Sequence, residues 1–289
     1  MKQRVITALS LLALLAVVVW RIYTPVFVAV IAIFSAIAAN EIMHCAKIKN
    51  KFILIVGTVF AFFVPVFANP TVLEPIVSTE KWGEIIGFVP KIVYIIALVF
   101  VFFLAMLKDY KNTKFEQVAI SFVASIFVPF GFSVLVILRD IAGYKEQFGV
   151  YLIFYGLICA LGTDVGAQLT GMAIGKHKMS PNISPKKTVE GAVGGIVVGL
   201  LFNLAAILLY NKFAVTPIDT KTIIILMCAA PFIEFMSMMG DLSASVLKRN
   251  FDVKDFGKIF PGHGGVMDRF DSSMFTLPLT YCLAMFILR

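Results

Sequence analysis

A short polar segment, residues 241–272, gathers carboxylates, bases and glycines in a chain that is 60% hydrophobic. The segment contains a glycine turn at Gly264 and Gly265. Its candidate reactive side chains are those of Asp241, Ser245, Lys248, Arg249, Lys254, His263, Asp268, Arg269 and Asp271. Aspartate oxygens are hard ligands that suit Mg²⁺, usually together with water and substrate phosphates. Lysine and arginine side chains neutralise phosphate charge. The segment therefore predicts metal-assisted phosphoryl or nucleotidyl transfer.

The glycine turn between Pro261 and Gly265 would let backbone amides approach an anion, because glycine imposes little steric restriction. His263 lies inside the turn and has no second histidine at ligand spacing, which argues against a zinc site. We expect His263 to orient the loop or to donate to a phosphate. The sequence contains no Walker A motif, so a P-loop ATPase is excluded.

The rest of the chain has the composition of an integral membrane protein. Charged residues make up only 15% of the 289 residues, and the mean hydropathy is +0.94. A soluble globule of this size needs more polar surface. Apolar runs long enough to span a bilayer predict an all-α polytopic fold with about nine transmembrane helices. The runs cover residues 5–22, 24–43, 52–69, 89–107, 117–138, 150–174, 189–210, 221–247 and 272–288.

These spans predict a single membrane domain, 1–289, with two parts of different character. Residues 1–145 contain almost purely apolar spans and are interpreted as scaffold helices. Residues 146–289 carry polar and glycine-rich spans, and are interpreted as the catalytic helices with the motif-bearing cytoplasmic loops. No internal repeat or low-complexity linker divides the chain.

The basic residues predict the orientation in the membrane. The first apolar run resembles a signal peptide, but no clean cleavage site follows it, and we expect a retained helix. Nine spans then place 17 of the 25 Lys and Arg on the side of the N-terminus, which makes that side cytoplasmic and the C-terminal side its opposite. This topology and anionic lipids account for the net charge of +8, so nucleic acid is not an expected partner. Sparse cysteines favour a bacterial inner membrane.

Polar stripes descend along two of the predicted helices. In the sixth span, Asp164 lies on one face with Gln168 and Gly171, about 16 Å inside the cytoplasmic end at 1.5 Å per residue. An ionisable group at that depth indicates function, and a structural carboxylate paired with a lysine is the alternative. In the eighth span, a face from Glu234 to Lys248 runs polar to the cytoplasmic surface. It predicts a polar cavity open to the cytoplasm, which enzymes, transporters and channels all build.

The seventh span carries Gly191, Gly195 and Gly199 at every fourth position, a pattern that lets helix backbones approach closely. Lys186 and Lys187 stand just before it, between two serine-proline turns and a Thr-x-Glu helix start. Those turns should fix where the lysine pair points. A fixed lysine pair beside a carboxylate cavity suits a phosphate.

Together these motifs resemble the phosphatidate cytidylyltransferase family, also called CDP-diacylglycerol synthases. The residues that carry the resemblance are Ser245-x-x-Lys248-Arg249, Lys254-Asp255, Pro261-x-His263-Gly264-Gly265-x-x-Asp268-Arg269-x-Asp271, Thr163-Asp164 with Gly171 and Gly175-Lys176, and Ser184-Pro185-Lys186-Lys187-Thr188-x-Glu190-Gly191. They lie between about residues 160 and 275. The first 140 residues match only as a polytopic apolar region. Gln168 and Val189 depart from the family pattern, which often has an aromatic and a tryptophan there.

The resemblance implies the reaction of CTP with phosphatidic acid to give CDP-diacylglycerol and pyrophosphate, with Mg²⁺ required and a second cation left open. Asp241 and Asp268 are the best candidate metal ligands, with Asp271 and Asp164 next. Phosphates would be held by Lys248, Arg249, Lys186 and Lys187, with Lys254, Ser245 and the turn of Gly264 and Gly265 as further substrate contacts. Arg269 is either a phosphate contact or the partner of an aspartate.

Two other functions stay open from the sequence. An ion or phosphate transporter would use the same intramembrane carboxylates, but gives no reason for the glycine and histidine turn. A CTP-dependent lipid kinase would release CDP in place of pyrophosphate. The sequence does not fix an oligomeric state, and a homodimer also stays open.

Overall fold

A computed structural model describes residues 13, 15–68, 91–141, 147–181 and 183–289. The predicted first span, 5–22, lies largely outside these residues, of which 15–20 are helical. All the candidate site residues named above lie within them.

The described residues are mostly helical, with one short hairpin. The elements are α1 Pro25–Cys45, α2 Lys51–Ala68, α3 Lys91–Lys108, α4 Phe115–Asp140, α5 Phe148–Ile174, β1 Lys178–Ser180, β2 Ser184–Thr188, α6 Val189–Phe213, α7 Thr220–Asn250, α8 Met267–Phe270 and α9 Ser273–Ile287. Strands β1 and β2 are antiparallel, with Ser180 opposite Ser184. The hairpin was not predicted, because the serine-proline pairs at residues 180–181 and 184–185 are typical of turns in a loop.

Among the described residues, six helices are long and apolar enough to cross a membrane: α1, α2, α4, α5, α6 and α7. The chain is therefore an integral membrane protein. At the positions of the fourth and ninth predicted spans the structure has shorter apolar helices, Val93–Lys108 and Ser273–Ile287. The count of nine spans is therefore not confirmed, although a helix occupies each predicted position after the first.

The chain divides into two compact units. One consists of Met1–Ile137 and Val253–Arg269, and the other of Leu138–Asp252 and Phe270–Arg289. Residues 253–269, called the motif loop below, thus belong to the unit built by the N-terminal helices. The single domain and its boundary at residue 145 stay predictions.

In the first unit, α1 and α2 are joined by polar contacts between apolar faces. The buried Ser35 hydroxyl donates to the carbonyl oxygen of Ala61 at 2.8 Å, and Asn40 Nδ2 donates to Thr58 Oγ1 at 2.9 Å. Asn50 begins α2, because its Oδ1 accepts from the backbone N–H of Ile53 at 3.3 Å. The helices that support the motif loop are therefore held in register by side-chain hydrogen bonds.

In the second unit, α5 and α6 approach closely through glycines, as their spacing predicted. A Cβ added to Gly195 would lie 2.7 Å from the carbonyl oxygen of Thr163, and one added to Gly191 would lie 2.7 Å from that of Ala167. The opposite face of α6 exposes large apolar side chains such as Val197. Such a face suits lipid, while the glycine face holds α5 and its aspartate against α6.

We expect Gly195→Val to destabilise the second unit by about 1–3 kcal/mol, because the added side chain has no room against the α5 backbone. Thermal unfolding in detergent should show a lower Tm. Val197→Leu adds one methylene group to the exposed face of the same helix and serves as the control, with an unchanged Tm. A wild-type Tm for Gly195→Val would contradict the close approach of α5 and α6.

Candidate active site

Three of the predicted aspartates interact electrostatically in the second unit. Asp164 of α5 interacts electrostatically with Asp241 of α7 and with Asp271, which lies between α8 and α9. Ser272 joins two of them, since its hydroxyl donates to Asp164 Oδ2 at 3.3 Å and its backbone N–H donates to Asp271 Oδ1 at 2.8 Å. Ser272 therefore links Asp271 to a carboxylate that is more than 100 residues away in sequence.

Two lysines neutralise part of this negative charge. Lys187 Nζ lies 2.5 Å from Asp241 Oδ2, and Lys248 Nζ lies 3.8 Å from Asp271 Oδ2. Neither pair is fully buried: side-chain exposure is about a quarter at the first pair and about one seventh at the second. Partly exposed lysines on carboxylates can change partners when a phosphate arrives, because water screens the charges that they leave.

The hairpin decides which member of the lysine pair reaches the aspartates. Lys186 and Lys187 are successive residues of β2, and successive side chains of a strand point to opposite faces. Lys187 accordingly contacts Asp241, whereas Lys186 is exposed. Thr188 then ends the strand and begins α6, where its Oγ1 accepts from the backbone N–H of Gly191 at 3.1 Å. The predicted helix start is confirmed, and it anchors Lys187.

Glu190 binds the residues just before β1 and so ties the start of the hairpin to the same helix. Its carboxylate accepts from the backbone N–H groups of Lys176 at 3.0 Å and His177 at 3.1 Å, and contacts His177 Nδ1 at 2.5 Å. The hairpin is thus tied at both ends to the first turn of α6. This rigid attachment positions Lys187 better than a free loop would.

The polar face of α7 is only partly open. Ser245 Oγ lies 3.5 Å from Asp241 Oδ1, at the limit of a hydrogen bond. Towards mid-membrane, Glu234 and Ser237 are fully buried, and Glu234 Oε1 accepts from Asn203 Nδ2 at 3.2 Å. Gly199 leaves room for this carboxyl group, since an added Cβ would lie 2.5 Å from Glu234 Oε1. The predicted cavity open to the cytoplasm is not confirmed, because the part of this face around Glu234 is packed against α6.

In the first unit, Asp268 binds the backbone of the motif loop. It is 8% exposed, and its Oδ2 accepts from the backbone N–H groups of Phe256 at 2.8 Å, Gly265 at 2.9 Å and Gly257 at 3.4 Å. The anion that the amide of Gly265 meets in the structure is therefore this carboxylate. Metal binding by Asp268 and substrate binding by Gly265 stay predictions.

The glycine turn itself has the backbone that its sequence predicts. Gly262 and Gly264 have φ angles of 79° and 84°, which side chains rarely tolerate. The turn closes where the N–H of Phe260 donates to the carbonyl of Gly264 at 2.9 Å. His263 Nδ1 is buried and has no hydrogen-bond partner among the described residues. The basic side chains of Lys254 and Arg269 in this loop, and of Arg249 before it, are exposed.

The buried carboxylate of Glu41 was not singled out by its sequence context. It lies near the end of the mostly apolar α1, is 7% exposed, and accepts hydrogen bonds from the backbone N–H groups of Val266 and Met267. No acidic or basic residue stands at helical spacing before it to mark a polar stripe. The one available signal was that an ionisable residue within a membrane span is rarely there without a role.

Comparison with known proteins identifies the family of the chain over nearly its full length. A family model described as the cytidylyltransferase family matches residues 2–287. The chain belongs to this family. A phosphatidate cytidylyltransferase of Bacillus subtilis (strain 168) is 33% identical over 286 residues, which cover 98% of this chain and 97% of that protein. The protein of the same name from Staphylococcus aureus (strain COL) is 32% identical over 247 residues, or 86% of this chain and 85% of its own.

Membership of the cytidylyltransferase family confirms the resemblance drawn from the motifs and makes the chain a nucleotidyltransferase. The match extends well beyond the motif-bearing residues 160–275 and includes α1 with Glu41. In this cytidylyltransferase-family protein, the N-terminal helices are therefore part of what the relatives share.

Proposed function

We propose that this cytidylyltransferase-family protein transfers the cytidylyl group of CTP to phosphatidic acid, giving CDP-diacylglycerol and pyrophosphate. Two relatives that match most of the chain are named for phosphatidate as the acceptor. Six helices able to cross a membrane suit a lipid substrate. The observation that carries the proposal is the cluster of Asp164, Asp241 and Asp271 with Lys187 and Lys248 in contact with it.

In the proposed reaction, a phosphate oxygen of phosphatidic acid attacks the α-phosphorus of CTP. A new oxygen–phosphorus bond forms, the bond from the α-phosphorus to the bridging oxygen breaks, and pyrophosphate leaves with the electron pair. No protein nucleophile is needed, so the side chains act by positioning and charge neutralisation. Lys187 and Lys248 contact aspartates in the structure, and each would exchange its aspartate for a phosphate of the substrate.

The aspartate cluster fits Mg²⁺ by its chemistry. Asp241 and Asp271 would hold the ion, with Asp164 beside them, and Asp268 is kept as a candidate from its motif. Mg²⁺ prefers oxygen ligands, and it usually takes one or two carboxylates and completes its shell with water and phosphates. Within the described residues no group of three or more acidic, histidine or cysteine side chains is placed to hold a metal ion by itself. Phosphate and water oxygens would have to complete the shell of an ion held by these aspartates, and bound Mg²⁺ would neutralise the triphosphate charge.

We also propose the topology that the basic residues predict: nine spans in a bacterial inner membrane, with the N-terminus in the cytoplasm and the C-terminus on the opposite face. CTP would then reach Lys187 and Lys248 from the cytoplasm, through a polar cavity on that side. Neither a homodimer nor a second cation is required by this scheme, and nucleic acid has no part in it.

The test is to incubate the purified protein with CTP, phosphatidic acid and Mg²⁺ in detergent micelles and to identify both products. CDP-diacylglycerol and pyrophosphate in equal amounts are expected. Omission of Mg²⁺ with excess chelator should abolish both products, and restored Mg²⁺ should recover them. CDP in place of pyrophosphate would indicate a CTP-dependent lipid kinase. Ion or phosphate flux in proteoliposomes without consumption of CTP would indicate a transporter and overturn the proposal.

A further inference from the structure

We propose that Glu41 is a positioning residue for cytidylyl transfer, which holds the motif loop in the conformation that presents Asp268. This inference rests on the proposed function. Glu41 comes from the part of the chain that the sequence marks as apolar scaffold, and its contacts with the loop span 225 residues of sequence. All the contacts that carry the proposal lie within the first unit.

Two carboxylates share three successive amides of the loop. The N–H of Gly265 donates to Asp268 at 2.9 Å, that of Val266 to Glu41 Oε1 at 3.1 Å, and that of Met267 to Glu41 Oε2 at 3.0 Å. These are amides just before and at the start of α8, where a helix has no internal acceptors to offer. Both oxygens of Glu41 are therefore used, and each fixes a different residue of the segment that leads into Asp268.

The loop is shaped to admit the Glu41 carboxylate from two sides. A Cβ added to Gly257 or to Gly265 would clash with Glu41 Oε1 and with its carboxyl carbon. One turn further along α1, Cys45 Sγ donates to the carbonyl oxygen of Phe256 at 3.1 Å. One face of α1 thus holds the loop near both residue 256 and residue 266, and glycine at two positions is what permits the approach.

The charge and the two oxygens of Glu41 are both needed for this arrangement. A glutamine would offer one acceptor oxygen and would turn an N–H donor towards the other amide. Asp268 uses its Oδ2 on the N–H groups of Phe256 and Gly265, so it relies on the same loop conformation. Displacement of the loop by about 1 Å would misplace Asp268, and a shift of that size can cost about a hundredfold in rate.

The experiment compares Glu41→Gln and Glu41→Ala with wild type in the full-length protein, using kcat and KM for CTP together with hydrogen exchange of residues 256–268. We expect Glu41→Gln to lower kcat by about tenfold or more and Glu41→Ala by more still. Exchange at Val266 and Met267 should be faster in both. Ser35→Ala is the matched control, since it removes a buried hydrogen bond of α1 that does not touch the loop.

A merely structural role would lower the Tm of Glu41→Gln as Ser35→Ala does and leave kcat per folded molecule unchanged. Gly257→Ala offers a second approach, because it displaces the carboxylate without altering α1, and it should reproduce the loss of kcat and the faster exchange. Glu41→Asp keeps the charge and both oxygens, and its kcat should fall between those of wild type and Glu41→Gln.

Wild-type kcat, or unchanged hydrogen exchange of the motif loop, in Glu41→Gln overturns the proposal. A wild-type protein that makes no CDP-diacylglycerol would refute the proposed function instead, and hydrogen exchange would still test the loop contact.

Discussion

Asp241→Asn is expected to reduce formation of CDP-diacylglycerol by about a thousandfold, the upper part of the range for loss of one preorganised electrostatic group. Asp241 is the aspartate that Lys187 contacts at 2.5 Å, and it belongs to the polar face of α7 that runs from Glu234 to Lys248. Asparagine has nearly the same shape but lacks the charge that would hold Mg²⁺. The rate should be measured at saturating CTP and over a range of Mg²⁺ concentrations.

Asp219→Asn provides the control on the same helix. Asp219 begins α7, where its Oδ2 accepts from the backbone N–H groups of Lys221 and Thr222, and a hydrogen bond from the Thr222 side chain lowers the pKa of Asp219. Asparagine caps a helix about as well as aspartate, so this variant should keep wild-type activity and stability. If Asp241→Asn retained more than about a tenth of the activity, Asp241 could not be a ligand of the essential metal, since such a loss is far below the effect of one electrostatic group.

For Asp268, asparagine and alanine should fail in different ways. Asparagine keeps one oxygen for the three backbone N–H groups that Asp268 Oδ2 now binds, but removes the charge. Alanine also leaves those buried donors without their acceptor, at about 1–3 kcal/mol for each group left unsatisfied. We expect both variants to lose activity by about a hundredfold or more if Asp268 binds the metal. Only Asp268→Ala should also lower the Tm and speed hydrogen exchange in the motif loop.

Asp252→Asn is the matched control for Asp268. Asp252 is exposed and has a φ of 56°, a conformation that asparagine adopts readily, so no loss is expected. Full activity in Asp268→Asn would assign Asp268 to the loop alone and remove it from the metal site. Loss of activity in Asp268→Asn with an unchanged Tm would support the metal assignment.

Sequence periodicity was sufficient for features that repeat along one helix. The α5–α6 contact followed from glycines at every fourth position, and the polar face of α7 followed from the spacing of Glu234 to Lys248. Periodicity carries no information about which distant segment a side chain meets. Glu41 illustrates this, because one carboxylate in an apolar helix has no register to reveal its partners at residues 266 and 267.

The lysine pair illustrates a second limit. Lys186 and Lys187 look equivalent in sequence, and a loop would leave them equivalent. The hairpin makes them different, because strand alternation sends one to Asp241 and the other to the surface. The short strands consist largely of Ser, Pro and Lys, which have little strand propensity. The hydrogen bonds from residues 176 and 177 to Glu190 therefore favour the hairpin more than its composition does.

The ion pair between Lys187 and Asp241 couples a candidate phosphate contact to a candidate metal ligand. In the proposed reaction, a phosphate that attracted Lys187 would release Asp241 for a cation, so that binding of the nucleotide and binding of the cation would be coupled. Linkage then requires that each ligand strengthen the other by the same factor. Titration of CTP at several fixed Mg²⁺ concentrations, in wild type and in Lys187→Met, would measure that factor directly, and it should shrink when the lysine is gone.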